Sequence, residues 1–266
     1  MITNENINSF IDKIPPAPKA LKATVMLLNQ GELVKAAQIA QTDLALKSYL
    51  KSIVNKPIYG FKNEVSEISQ IFGILGVSSS QQTVYNYMIS LLSPNKWILF
   101  KLNSTIFHEL QAQLSRKWKK ILNHLDIDNM DIESSIALLP SSIIITEALF
   151  NDKKTDVELL QQSSDINFNT ILMRLCGLDI FDICQKIAEK WEMPENTIKI
   201  IQASSGEKPI EDDDELNKLG KWMHLLLFYE LSQPQFIKAE LNNFISFNIE
   251  YVEEIYDDFA LLMDIQ

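Results

Sequence analysis

The chain has 266 residues, 46% of them hydrophobic and 22% charged, an ordinary globular composition with room for one large domain or two packed lobes. Seven glycines argue against many tight turns and against a glycine-rich phosphate loop. The net charge of −11 is uneven, +2 over residues 1–93 and −13 over 94–266, so phosphate backbones and anionic lipid are repelled and neither nucleic acid nor membrane is expected as a partner.

The polar N-terminus, Met1 to Ser9, lacks the basic segment and apolar core of a signal peptide. No apolar run reads as approaching the ~20 residues of a membrane span. Cys176 and Cys184 make no disulfide framework. A reduced, cytoplasmic protein is expected.

Apolar residues recur every three to four positions almost throughout, which predicts an all-α fold. Residues 1–13 read as a polar lead-in. Pro15, Pro16 and Pro18 stiffen the start of a helix carrying Leu21, Val25 and Leu28, which Gln30-Gly31 ends. A short helix with Leu33, Ala36, Ala37 and Ala40 inward follows. Asp43 is placed to cap the next, whose apolar face is Leu46, Leu50, Ile53 and Val54. Asn55 to Lys62 is a loop broken by Pro57 and Gly60. A helix with Ile68, Phe72 and Leu75 then ends at Gly76, where a left-handed terminal residue is wanted. Another carries Val84, Met88 and Leu91.

Ser93-Pro94-Asn95 is the best internal boundary, and the charge balance changes sign near it. The expected division is an N-terminal lobe, 1–93, packed on a second helical lobe, 94–266. The second lobe opens on a long helix with Phe107, Leu110, Leu114, Trp118, Ile121 and Leu125 in register. Residues 132–150 are strongly apolar and interrupted by Pro140, and Ile143-Ile144-Ile145 suits a strand as well as a helix. Further helices are predicted from Ile166, Ile180 and Pro194. Leu216 to Leu227, a short segment from Pro234, and Ile249 to Leu262 complete the chain.

The punctuation between Ile14 and Gly76 has an order of its own. A proline-rich lead-in is followed by Asp43 before a helix, then Asn55-Lys56-Pro57-Ile58-Tyr59-Gly60, then Leu75-Gly76. This order resembles the HDOD domain, the HD-related output domain of bacterial signalling proteins, strongly over 14–76 and more weakly over 100–206. Departures are Leu44 where the family has proline after the aspartate, and Lys56 where it has serine after the asparagine.

That resemblance carries expectations about chemistry. HD phosphohydrolases hold a metal pair with several His and Asp donors, including an adjacent His-Asp. This chain has three histidines and no His-Asp pair. His108 falls near the family's first histidine. The His-Asp positions align with Pro140 and Ser141, a later histidine with Ile180, and the terminal histidine area with Ala203-Ser204-Ser205-Gly206. Trp191-Glu192-Met193-Pro194 keeps the family's Trp-x-x-Pro. The resemblance therefore implies a vestigial HD cleft at His108, Pro140, Ser141 and Ile180, with no catalytic residue, no metal and no cofactor. It further implies a stand-alone, non-enzymatic regulator or adaptor in bacterial signal transduction, acting by protein–protein contact, with the vestigial cleft as a place for a ligand. The alternative is a metal-dependent HD-type phosphohydrolase acting on a nucleotide.

Other residues have competing readings. Asp126, Asp128 and Asp131 after His124 suggest a cation loop, but the glycine turn and closing glutamate of an EF-hand are missing, and a helix end with an acidic connector is the simpler reading. His224 and the two cysteines read as core residues. Arg116-Lys117-Trp118-Lys119-Lys120 has the composition of a nucleic-acid contact, yet Trp118 falls in the apolar register and the cations read as a solvated face. The acidic run Glu211–Glu215 offers a cation or basic partner a surface, and equally suits a helix N-terminus. The loop residues Asn55, Lys56, Pro57, Tyr59 and Gly60 are the expected contact with a protein partner, with Lys56 exposed and Tyr59 packed inward.

Overall fold

The computed structural model describes residues 3–15, 17–57, 60–164 and 166–265. Regular structure among them is helical throughout, with no strand. The predicted all-α fold is what forms. Two compact units divide the chain: Pro15–Leu91, and Met1–Ile14 together with Leu92–Gln266.

The unit 15–91 contains α2 (Lys19–Asn29), α3 (Leu33–Ala40), α4 (Leu44–Val54) and α5 (Ile68–Ser90), with α5 packed on the other three. The predicted apolar positions Leu21, Leu28, Ala36, Ala40, Leu46, Leu50 and Phe72 are all buried. Asp43 caps α4 by accepting from the amides of Ala45 and Leu46 at 3.0 and 2.9 Å, so two of the helix's orphan donors are satisfied. Gly76 interrupts the helix where expected, with two helical segments meeting there, but its conformation is a different one. It does not end a helix in the left-handed conformation. Its φ of 75° and ψ of 175° put a kink inside α5, in a region of backbone space that is essentially glycine's alone. Leu91, expected inward, is half exposed just past the end of α5.

The larger unit begins with α1 (Asn4–Lys13), which the sequence reading had placed with the first lobe. The cause of the difference lies far along the chain. Ile7 and Ile11, one turn apart, are buried, and α1 packs on α8 (Pro140–Phe150), α10 (Phe168–Cys176) and α11 (Ile180–Lys190). The Lys190 ammonium donates to the carbonyls of Ile11 and Asp12 at 2.6 and 2.8 Å, a cation placed where a helix C-terminus carries partial negative charge.

The remaining elements are α6 (Ser104–His124), α7 (Met130–Ser135), α9 (Lys154–Ser164), α12 (Glu195–Ala203), α13 (Asp214–Leu231), α14 (Pro234–Lys238) and α15 (Ile249–Leu262), with 3-10 turns at Ile136–Leu138 and Asn151–Lys153. Residues 143–145 belong to α8, not to a strand. Pro140 sits at its first position, where a missing N–H costs nothing, and apolar side chains on all sides suit a helix buried all round. This region falls within Met130–Gln161, the one stretch among the described residues apolar and long enough by composition to cross a membrane; 89% of its most apolar window is buried inside the fold. The expectation that no run approached span length is corrected by this stretch. Its burial gives the apolar residues a protein partner. At α12 and α13, a Cβ on Gly220 would lie 2.7 Å from the Ala203 backbone, so only glycine admits this helix approach.

With few glycines available, helix ends are made differently. Asp126, Glu192, Glu240 and Asp264 follow α6, α11, α14 and α15 with φ between 54° and 65°. Each is followed by an amide that reaches back to the helix, as Ile127 does to the Leu122 carbonyl at 2.9 Å. An acidic residue there carries both left-handed strain, ~1–2 kcal/mol, and repulsion from the carbonyl end of the helix dipole. Asp126→Gly is therefore expected to stabilise the protein by about 1 kcal/mol. A lower thermal midpoint than wild type would show that the carboxylate has a favourable role at that turn.

Candidate functional site

Pro140, Ser141 and Ile180, the positions expected to correspond to the family's metal ligands, lie where α8 meets α11 and the Ile136–Leu138 turn. Pro140 offers no donor atom. Ser141 is fully buried, and its hydroxyl donates to the Leu138 carbonyl at 2.6 Å. Its oxygen also lies 3.7 Å from the Cys184 sulfur, which in turn reaches the Leu139 carbonyl at 3.7 Å. Burial pushes the Cys184 thiol up to about 12, so it stays protonated and unreactive at neutral pH. Ile180 is buried, and its amide donates to Asn169 Oδ1 at 2.9 Å.

The structure thus brings Pro140, Ser141 and the α11 residues together as packed core. His108 stands on α6, half-buried, its ring 6.5 Å from that of Phe107. That helix packs on α7, the adjoining 3-10 turn, α13 and α14. Among the described residues no group of three or more His, Cys, Asp and Glu side chains is placed to hold a metal ion.

The acidic groups nearest Ile180 serve the helix. Asp179 caps α11: its carboxylate accepts from the Asp182 amide at 2.6 Å, and Asp182 accepts from the Asp179 amide at 3.1 Å. Lys208 pairs with Asp182. Burial pushes the Asp179 carboxyl up to about 6, helped by the neighbouring Asp182 charge and opposed by Lys208. In the terminal histidine area, the Ser204 carbonyl lies 2.9 Å from His224 Nδ1. His224 is buried, stacked on Phe181 at 5.6 Å and edge-on to Tyr251 at 5.3 Å. Burial holds its pKa below the ordinary histidine value, as befits a neutral core ring.

The basic cluster forms the solvated face expected of it: Arg116 and Lys120 are exposed and the Lys119 side chain is 45% exposed. Trp118 is buried, and its indole N–H donates to the Ile132 carbonyl at 2.8 Å. The cations are engaged within the fold: Lys117 with Glu230, Lys119 with Glu133 and Lys120 with the Leu262 carbonyl. The acidic connector and the acidic run border one hollow of about 350 Å³, with Asp126, Asp128, Asp213 and Glu215 among its lining. Asn129 caps α7 and Asp213 caps α13, so capping accounts for much of that sequence.

The 55–65 loop is the more distinctive construction. Asn55 closes it. Its side-chain amide donates to the Val65 carbonyl at 2.9 Å, and its oxygen accepts from the Val65 amide at 2.8 Å. The same nitrogen donates to the Lys51 carbonyl at 2.9 Å, fixing the clamp to the end of α4. Lys51 and Glu64 pair across the base at 2.7 Å, and the lysine holds the glutamate's pKa below its usual value. Beyond the clamp, Lys56, Pro57, Gly60, Lys62 and Asn63 are exposed, and Phe61 is 45% exposed. Tyr59, and with it the expectation that its ring packs inward, lies outside the described residues. Phe61 and Lys62 are exposed beside the contact residues expected from the sequence and were not among them. The available signal was an aromatic directly after a loop glycine, with no helical register to absorb it.

An all-α chain with a clamped loop on one unit and, among the described residues, no cluster of metal-ligating side chains is the class that the fold and the site define. The HDOD domain family matches residues 14–206. The chain belongs to the HDOD family. Among solved structures, an HDOD domain protein of unknown function from Geobacter sulfurreducens is similar over 98% of this chain and 95% of its own, at 13% identity and a TM-score of 0.65. A candidate metal-dependent phosphohydrolase from Shewanella amazonensis is similar over 98% and 97%, at 12% identity and a TM-score of 0.51. A virulence factor from Campylobacter jejuni is similar over 95% and 96%, at 18% identity and a TM-score of 0.44. No curated protein matches the chain at a significant level. At these identities the structural likeness speaks to fold.

Proposed function

We propose that this chain is a non-enzymatic, cytoplasmic regulator or adaptor in bacterial signal transduction, and that it acts by protein–protein contact through the clamped loop. The observation that carries this reading is the two-way bond between Asn55 and Val65. It fixes the ends of a segment that presents an exposed aromatic, Phe61, between the cations Lys56 and Lys62. A surface held ready by its scaffold loses less conformational freedom on binding, and cations beside an aromatic suit an acidic partner patch with an apolar centre.

Loop variants test the reading. Lys56→Glu is expected to leave the melting temperature nearly unchanged, as exposed substitutions do, while weakening capture of the partner that the wild-type protein retains from its native cell. Asn55→Ala is expected to cost about 1–3 kcal/mol by orphaning the Val65 groups and to weaken capture as well. The proposal is wrong if Lys56→Glu destabilises the protein as much as Asn55→Ala, or if capture ignores the charge reversal.

Catalysis is left out of the proposal because the aligned donor positions hold a proline, an isoleucine and a serine whose hydroxyl is committed to the Leu138 carbonyl. The purified protein is expected to contain no stoichiometric Mn, Fe, Zn or Mg and to leave cyclic dinucleotides and nucleoside phosphates intact. Turnover that survives purification and disappears on chelation would make the chain a metal-dependent phosphohydrolase instead.

A further inference from the structure

In the larger unit a hollow of about 460 Å³ opens between the 99–100 segment, α9 and the 240–243 turn. This volume lies in the range of small-molecule sites. The hollow shares no lining residue with the α8–α11 packing. Its floor is fixed from behind. The fully buried Glu147 carboxylate accepts from the amides of Ile98, Leu99 and Phe100 at 2.7–3.1 Å. Phe100 packs on Phe168 and Phe244 with centroids 5.2 and 6.0 Å away. The Phe168 amide ties to the Asn243 carbonyl at 2.9 Å. A floor so anchored does not have to be built when a ligand arrives.

The wall chemistry narrows the ligand. Leu99, Phe100 and Val157 belong to its lining but are almost fully buried, so they close the hollow rather than offer it a broad apolar surface. Glu158 and Glu240 also line it, and both already have counter-charges: Glu240 pairs with Lys101 at 2.6 Å and Lys154 at 3.5 Å, and Glu158 with Lys154 at 3.6 Å. A cationic ligand would have to displace those lysines, and an anionic one would meet two carboxylates. Carboxylate oxygens keep spare lone pairs after pairing and accept from further donors. Gln161 supplies the opposite need, because its buried amide nitrogen has no acceptor among the described residues, an arrangement that costs free energy until one arrives. Asn242 adds a side-chain amide that donates to Asn243 Oδ1 at 3.1 Å. Phe100 and Phe168 are 2% and 4% exposed, so they offer no open ring face on which a planar base would stack.

Groups that donate and accept at once, on a molecule with no charge, meet these conditions. We propose that the hollow binds an uncharged polyhydroxylated small molecule of mono- or disaccharide size. Its hydroxyls would donate to Glu158 and Glu240 and accept from Gln161, over the Leu99–Phe100 floor. This site is independent of the loop contact proposed above.

The test is titration of the full-length protein with glucose and with maltose, followed through the side-chain amide resonances of Gln161 and Asn242. Glucose 6-phosphate, spermidine and adenosine serve as anionic, cationic and planar comparators. Saturable shifts of those resonances by a neutral sugar are expected, with weaker response to each comparator. Gln161→Leu, folded by circular dichroism, is expected to bind the sugar about ten-fold more weakly, as loss of a buried hydrogen-bonding partner does. Asn242→Ala, an exposed substitution, provides the same comparison if the leucine variant does not fold. The proposal is overturned if neither sugar saturates, if a comparator binds the same residues more tightly, or if the variant that folds binds sugar like wild type.

Discussion

Glu147→Leu is expected to destabilise the protein by about 3–6 kcal/mol. The carboxylate is fully buried near the end of α8 and accepts from three consecutive backbone amides, those of Ile98, Leu99 and Phe100. Each buried donor left without a partner costs about 1–3 kcal/mol, and leucine leaves all of them. Ile98 is itself 46% exposed, so water recovers part of its share, and the estimate rests mainly on Leu99 and Phe100. Glu147→Gln separates hydrogen bonding from shape. Its oxygen retains some of the amides while its NH2 group confronts another donor, so an intermediate loss of about 2 kcal/mol is expected. Chemical denaturation of the three proteins measures the ordering. Equal stability of wild type and the glutamine variant would mean that the nest of amides does not depend on the second carboxylate oxygen.

Glu147 also shows where reading the sequence stops. Its position, an acidic residue in the apolar run after Ile143-Ile144-Ile145, looks like the solvated end of a helix. Its partners lie 47–49 residues away in a segment with no regular structure. Local information was enough where one helix face meets a core, as in Phe107, Leu110, Leu114, Trp118 and Ile121. It was enough for Asp43 as well, because a cap acts within three residues. It failed for α1, whose end is held by Lys190, 179 residues further along the chain. At Gly76 it located the break between two helical segments but not its conformation, because the same residue type serves a left-handed helix end or a kink. The 55–60 loop was legible as a place, through its Pro, Gly and Asn punctuation. The Val65 clamp that makes it a construction was not, because the backbone groups Asn55 binds leave no trace in residue type. At the α8–α11 packing the aligned donor positions could be read as Pro140, Ser141 and Ile180, while the sulfur contact of Ser141 with Cys184 could not.

Lys117→Met is expected to cost about 3–5 kcal/mol at neutral pH, and the loss is expected to shrink as the solution is made acidic. Lys117 on α6 pairs with Glu230 on α13 and lies 4.5 Å over the Tyr229 ring. The Glu230 side chain is fully buried, and its second oxygen has no hydrogen-bond partner among the described residues. Removing one member of a buried pair leaves the other charge uncompensated, which is the source of the magnitude. Burial already pushes the Glu230 carboxyl above its ordinary value, against the pull of Lys117 and Arg116. Without the lysine it rises further. Between the ordinary glutamate value, about 4.3, and that raised value, the folded state holds a proton that the unfolded chain has released. Stability therefore falls as pH rises through this window, and the variant recovers as pH falls through it. Lys117→Met/Glu230→Leu removes both charges, and replacing a buried pair by apolar groups is often neutral. The double variant is expected to return to within about 1 kcal/mol of wild type at neutral pH and to lose the acid recovery. Thermal midpoints of the four proteins across pH 5 to 8 measure both effects. A deficit in Lys117→Met that stays constant over that range, and persists in the double variant, would assign the loss to the lysine stem and its Tyr229 contact rather than to the buried carboxylate.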